Sequence, residues 1–442
     1  MTEWPGRKAN AMLMGQTRVS TVAGDSGVSL GARFSSVRRA TERLVEPLSA
    51  EDAIAQSMTK CSPAKWHLAH TSWFFEQMVL KTAYPERPPP AGRASSLFNS
   101  YYTQLGKPFD RSKRGLLTRP SLDEVRAQRR EVNDQVAALI ASPRGEDAEL
   151  RAMIEIGLHH EQQHQELILS DIKHLFSESP LAPAYADPVA GSLVTAAPDL
   201  GWRAFEGGVC EIGHDGEGFS YDNEGPRHRV FVEPYELADR LVTNGEWLAF
   251  MNDGGYQRSE LWLDAGWRVV EGYGRSAPMY WTRCDGGWAE FTLEGLRELR
   301  AAEPVAHVSF YEADAYARWA GARLPTEHEW ENAVCVERTP VDGMREGSRM
   351  HPSAASSRSD ALKQMYGSLW QWTRSDYGPY PGYRPPDGAL GEYNGKFMCG
   401  QFVLRGASFA TPAGHSRATY RNYYHADDRW CFAGVRLARE AR

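Results

Sequence analysis

HHEQQHQEL, residues 159–167, lies inside a longer run, Leu150 to Phe176, whose apolar residues recur at helical spacing. Met153, Gly157, His160, His164 and Leu167 follow one another by four, three, four and three residues. That places both histidines on one stripe of a single helix, together with apolar residues that should face a core. Two imidazoles one turn apart on a rigid helix can grip one metal ion. The bland reading is a pair of hydrogen-bonded core histidines, but two in register within a polar run favour a metal.

The same helical spacing extends over roughly residues 34–178, broken by the Pro-rich "YPERPPPAGR" near 84–93 and by "SPRGED" near 142–147. This predicts a four-helix bundle with a long insertion at roughly 84–120. A loop of that length is functional or disordered, and its aromatic residues argue for function. A second His-bearing helix, "CSPAKWHLAHTSWFFE", carries Trp66, His70, Trp73 and Phe74 on one face, with Ser62 and Pro63 as its expected N-cap and first-turn pair. His70 therefore points toward the same core and offers a third ligand, whereas His67 lies about 60° away on the helical wheel and is the weaker candidate.

H-E-x-x-H is also a zinc peptidase pattern, with Glu161 as general base. The expected third ligands are missing: Leu167 and Ser170 stand three and six residues beyond His164, and a Pro/Ala-rich stretch fills the region some twenty residues on. A metal site completed by His70, leaving positions open for substrate and O2, fits better.

Beyond the bundle, "SESPLAPAYADPVAGSLVTAAPDL" reads as a linker, placed at 179–200, and residues 1–33 as a flexible tail. Residues 201–442 change texture: many glycines and tryptophans, short strand-like runs, and two clear helices near Asn244–Met251 and Tyr311–Gly321. The fold class is α+β. The 442 residues carry a formal charge of −7 with acids and bases well mixed, and "RAQRR" at 126–130, flanked by acids, reads as a solvated helix face rather than a nucleic-acid patch. Six scattered cysteines, without a C-x-x-C, fit a reducing cytoplasm, and no run approaches the roughly 18 apolar residues of a membrane span.

"WHLAH" followed by "HHEQQHQE" resembles the iron-binding pattern of the DinB-like domain in ergothioneine-type sulfoxide synthases. The second half, through "YDNEGPRHRVFVEPYELADRLVTNGEWLAFMNDGGY", "PVAHVSFYEADAYARWAGARLPTEHEWENA", "GSLWQWTRS", "LRGASFATP" and "FAGVRLA", resembles their formylglycine-generating-enzyme-like, C-type-lectin-related domain. The resemblance implies an O2-dependent enzyme that joins a chalcogen to C2 of the imidazole of hercynine at non-haem Fe(2+). It implies His70, His160 and His164 as metal ligands and Gln163 as the residue that meets the substrate imidazole. Formylglycine generation itself is not expected, because no close cysteine pair is present to bind copper.

The residues support that reading. A quaternary ammonium is best hosted by aromatic faces, and "RNYYHADDRW" supplies Tyr423, Tyr424 and Trp430 beside Asn422. Arg111 and Arg114, in the insertion, can fork a donor carboxylate. Tyr101 and Tyr102 are the catalytic candidates, since a phenol can deliver a proton or an electron. The family's mycobacterial type has its catalytic tyrosine in the second domain instead. This sequence departs from the common ergothioneine pattern in the substrate-binding stretch, where tyrosines, His425, Asp427 and Asp428 make the pocket more polar. A thiol donor of the cysteine type and the seleno-sugar donor of the related selenoneine synthases both stay open. The ovothiol branch is not expected, because no methyltransferase-like segment occurs in the chain. A zinc-dependent hydrolase and a non-catalytic ligand-binding module are the readings from other classes.

Overall fold

A computed structural model describes residues 28–86, 94–188, 196–341, 349–356 and 361–441. Most of the expected tail lies outside these residues. Helix α1 (Leu30–Val45) begins within the stretch read as tail, where Ser29 caps it by accepting from the Ala32 amide. Helices α2 (Ala64–Phe74), α3 (Leu122–Ala141) and α4 (Ala148–Ser177) complete the bundle. Asp147 caps α4 by accepting from the Leu150 amide, and the 30-residue helix runs through every histidine of the opening stretch.

Helix α2 is buried on all sides, as its apolar composition requires of a central helix. Its one lysine, Lys65, is accommodated because Nζ donates to the carbonyls of Leu117 and Pro120. The helix N-cap is Pro63, not Ser62: the Ser62 amide donates to Asp171 and its hydroxyl accepts from Arg114. Ser62 is thus drawn into contacts with α4 and the insertion that the local sequence does not contain. The insertion holds short helical turns at Ala94–Leu97, Thr103–Leu105 and Arg111–Leu116.

Arg129, within the expected solvated face of α3, is in fact buried. It donates to Glu161 and, at 2.9 Å, to Thr71, while Arg38 reaches Glu161 at 2.7 Å. Glu161 and His159 are buried as well. Glu161 sits on the side of α4 that meets α1 and α3, where burial of one anion between two cations satisfies all three. Burial pushes its pKa up, but Arg129 and Arg38 outweigh that and hold it at about 2.

Gly157 shows how closely α4 packs on α2. A Cβ there would lie 2.7 and 2.8 Å from ring carbons of Phe75 and 3.2 Å from Phe74. Gly157→Ala should cost about 1–2 kcal/mol in a urea melt, because overpacking against two locked rings exceeds the ~1 kcal/mol that alanine gains in a helix.

After α4 the chain turns to strands: β1 (Trp202–Phe205), β2 (Gly208–Ile212), β3 (His228–Val232), β4 (Tyr235–Ala238), β5 (Trp281–Cys284), β6 (Gly287–Thr292), β7 (Gly295–Glu298), β8 (Trp370–Asp376), β9 (Gln401–Gly406), β10 (Asn422–His425), β11 (Ala433–Gly434) and β12 (Ala438–Glu440). They form small sheets ordered β1-β4-β12, β2-β3, β5-β6-β7 and β10-β9-β8-β11. In the last, β10 pairs antiparallel with β9, setting Asn422 opposite Leu404 and Tyr424 opposite Phe402.

Among the described residues four α-helices accompany these strands where two were expected: α5 (Asn244–Asn252), α6 (Asp264–Tyr273), α7 (Phe310–Trp319) and α8 (Glu327–Glu337). In α6 the two glycines and the β-branched and aromatic residues masked the helix. In α8 the signal was present, a capping box of Thr326 and Glu329. Among the described residues no helix is long and apolar enough to cross a membrane.

One apolar cluster runs from Leu44 and Trp66 through Ile168 to Trp370 and Phe432, so the helical and strand-rich parts share a core. Polar ties cross it: Glu166 accepts from Trp370 Nε1 at 2.7 Å and Thr411 Oγ1 at 2.6 Å, and Lys173 Nζ lies 2.7 Å from His307 Nε2. Burial pushes the Lys173 amine down to about 7 from its ordinary 10.5. Between those pH values the unfolded chain holds more protons than the folded one, so this group makes stability rise with pH. Lys173→Met should therefore gain most in Tm over the native protein at pH 7, and the gain should shrink by pH 10; thermal melts at both check it.

Candidate metal centre

His70 from α2 and His160 and His164 from α4 converge in the bundle core, and all three are buried. His70 Nε2 and His164 Nε2 each lie 3.2 Å from His160 Nε2. The His70 ring is stacked between Trp66 (centroids 4.5 Å) and Trp73 (5.6 Å). Its Nδ1 lies 2.6 Å from the Phe98 carbonyl and must donate to it, which leaves the Nε2 lone pair facing the cluster.

Burial keeps all three rings neutral: it holds His160 down at about 3 and His70 and His164 well below their usual value. Neutral ring nitrogens this close, on two rigid helices, fit a first-row divalent ion. A second group of possible ligands, Glu290, Glu303 and His351, does not fit so well. Arg297 bridges both carboxylates, and Arg300 and Arg349 also reach Glu303, so cations already compensate the charge.

A cavity of about 450 Å³ opens beside the histidines. Gln163 faces it from α4: its Nε2 donates to the Tyr420 hydroxyl at 2.7 Å, and its Oε1 accepts from Tyr393. Asn422, Tyr423, Tyr424 and Trp430 all line the same space. Tyr423 is stacked on Tyr377 at 3.9 Å, and Tyr424 meets Trp430 edge-on at 5.3 Å.

The two arginines differ. Arg111 is exposed at the mouth, donating to the Lys60 carbonyl at 2.5 Å. Arg114 is buried, its guanidinium 3.4 Å from the centroid of Trp66, with hydrogen bonds to the hydroxyls of Ser62 and Ser100. Among the described residues no carboxylate comes within ion-pair distance of it, and burial, with Arg111 nearby, lowers its pKa to about 9 although Asp171 pulls the other way. An unpaired buried cation beside a cavity is a ready anion site.

Tyr101 lines the cavity, whereas Tyr102 packs behind it with ring centroids 4.6 Å apart, fully buried and set off the cavity wall. Sequence reasoning missed Tyr393, Tyr420 and Glu166, which also line the cavity. The Tyr393 ring lies 5.8 Å from that of His160 and 6.3 Å from that of Tyr101. Burial raises the pKa of both cavity phenols well above the usual value, so each keeps its proton. Tyr393 sits in a Gly-rich loop with no helical or strand pattern to mark it; its only signal was an aromatic residue in an otherwise polar stretch.

A helical bundle carrying a three-histidine site, joined to a small-sheet domain that completes the cavity, defines a two-domain enzyme class. Residues 33–168 match the DinB superfamily, and residues 203–339 and 337–441 match the sulfatase-modifying factor enzyme 1-like domain. The chain is 34% identical to a hercynine oxygenase of Mycobacterium tuberculosis over 438 residues, covering 92% of this chain and 98% of that one. It is 33% identical to that of Mycolicibacterium thermoresistibile, covering 85% and 87%. Ergothioneine biosynthesis protein 1 of Schizosaccharomyces pombe is 30% identical over 50% of this chain and 28% of its own. The chain belongs to the hercynine oxygenase family.

Proposed function

We propose that this enzyme uses Fe(2+) held by His70, His160 and His164 to join sulfur or selenium to C2 of the hercynine imidazole at the expense of O2. The observation that carries the reading is the convergence of three neutral Nε2 atoms on a cavity with aromatic walls and one unpaired buried guanidinium. Bound iron would supply the redox chemistry and the open positions that bring O2 and the chalcogen together.

Gln163, fixed by Tyr393 and Tyr420, presents its amide to the substrate imidazole. Tyr424, Trp430 and Trp370 offer ring faces to the trimethylammonium, and Glu166, bonded to Trp370 and Thr411, adds negative charge to that wall. Arg114 takes the donor's anionic group, with Arg111 at the entrance. Tyr101 and Tyr393 hold their protons at the cavity and are the groups able to deliver one during bond formation; Tyr102 supports Tyr101 from behind.

The hydrolase reading loses its general base. Both Glu161 oxygens are taken, by Thr41 and Arg129 on one side and by Arg38 on the other, away from the Nε2 cluster. The donor remains a cysteine-type thiol or a seleno-sugar. Lys60, paired with Asp428, and Asp427 and His425 make the mouth polar and favour a hydroxyl-rich donor. If the donor is a seleno-sugar, incubation with hercynine, O2 and both donors in competition should give selenium-containing product overwhelmingly. Preference for cysteine would restore the sulfur reading, and the absence of any hercynine adduct would refute the function.

A further inference from the structure

His67, passed over as a ligand, occupies a defined place beside the metal centre. Its Nδ1 lies 2.7 Å from His164 Nδ1, and its Nε2 lies 3.1 Å from Asp171 Oδ2. Asp171 stands seven residues beyond His164 on α4, two turns along the same face. Its carboxylate also accepts from the Ser62 amide at 2.8 Å and from Trp430 Nε1 at 3.2 Å. Both His67 and Asp171 are buried. The row Asp171, His67, His164 therefore starts at a carboxylate anchored by three donors, one of them from the strand-rich part of the chain, and ends at the candidate metal ligand.

With both rings neutral, only one arrangement of protons satisfies every contact. A carboxylate accepts, so His67 Nε2 carries the hydrogen and its Nδ1 carries a lone pair. Two ring nitrogens 2.7 Å apart cannot both present lone pairs or both present hydrogens, so the hydrogen between them belongs to His164 Nδ1. His164 Nε2 is then left with its lone pair aimed at His70 and His160. His70 reaches the same state through the Phe98 carbonyl, whereas His160 Nδ1 has no hydrogen-bond partner among the described residues. The tautomers of two of the three rings are thus set by neighbours, one from a backbone carbonyl and one from this buried pair.

We propose that Asp171 and His67 are positioning residues that lock the tautomer and orientation of His164, and that Asp171 links this lock to the cavity wall through Trp430. The inference rests on reading His70, His160 and His164 as a metal site. Outer partners of this kind raise metal affinity by about ten- to a hundredfold.

The test uses Co(2+) added to the full-length, metal-free protein under anaerobic conditions. Asp171→Asn keeps the side chain's shape and His67→Phe keeps a planar ring without its nitrogens, so the two break the row at different links, and thermal melts verify that each is folded. Each should bind Co(2+) about ten- to a hundredfold more weakly, with an altered visible ligand-field spectrum. A folded variant of either kind with native affinity and an unchanged spectrum would overturn the proposal. As a measurement that needs no variant, imidazole ¹⁵N spectra of the Zn(2+)-loaded native protein should show His164 protonated at Nδ1 and His67 at Nε2. The reverse tautomer at His67 would overturn it as well. Failure of the native protein to bind Co(2+) at all would instead remove the underlying metal site, an outcome distinct from weakened binding in the variants alone.

Discussion

His160→Ala should leave a folded protein that retains less than about a tenth of the native metal and loses hercynine-dependent turnover by roughly a thousandfold or more. His160 is the shared neighbour of the cluster, with His70 and His164 each 3.2 Å from its Nε2. Its ring also packs against Phe74 at 4.6 Å, so alanine leaves a cavity as well as a missing ligand. His70→Ala should lose metal as fully, although His70 comes from a different helix. Metal analysis of both variants beside the native protein checks this. A stoichiometric metal content in His70→Ala would mean that the ion is held by α4 alone and that the two-helix site is wrong.

Glu161→Gln should destabilise the bundle by about 3–5 kcal/mol while leaving the metal ligands in place. The side chain is fully buried between Arg38 and Arg129. Glutamine preserves its shape but leaves two guanidiniums in the core without their shared counter-ion. The same ion cluster gives the native protein a defined acid response. A carboxylate held at about 2 in the fold and near 4.5 when unfolded contributes stability above the higher value and loses it progressively as pH falls toward the lower. Urea unfolding of the variant at neutral pH reads the loss. The folded fraction should keep its activity. An unchanged stability with abolished turnover would return Glu161 to a catalytic role and revive the hydrolase.

The contrast between His160 and Glu161, neighbours in one motif, marks what the sequence could and could not reveal. The two histidines were legible because a period of three and four residues puts them on an apolar stripe, and His70 was legible by the same rule on α2. The burial of Arg129 was not, since its charge sits among acids on a helix with ordinary surface composition. Its partners, Glu161 and Arg38, lie 32 and 91 residues away. Periodicity reports which face of a helix is apolar, but pairing of buried charges depends on how helices are set against each other. The cavity divides the same way. Asn422, Tyr423, Tyr424 and Trp430 stood out as a local cluster of aromatic residues, whereas Tyr393 and Tyr420 reach Gln163 from loops more than two hundred residues downstream. The helix α8 was readable from its capping box, in a stretch otherwise rich in charge.

The reading of this chain as an iron enzyme acting on hercynine stands or falls on one titration. Metal-free protein loaded anaerobically with Fe(2+) should bind one ion per chain. On admission of O2 together with hercynine and a thiol or seleno-sugar donor, it should consume O2 and form the C2 adduct, with little uptake when hercynine is left out. A protein that binds no iron at the three histidines, or whose O2 uptake is indifferent to hercynine, would contradict it.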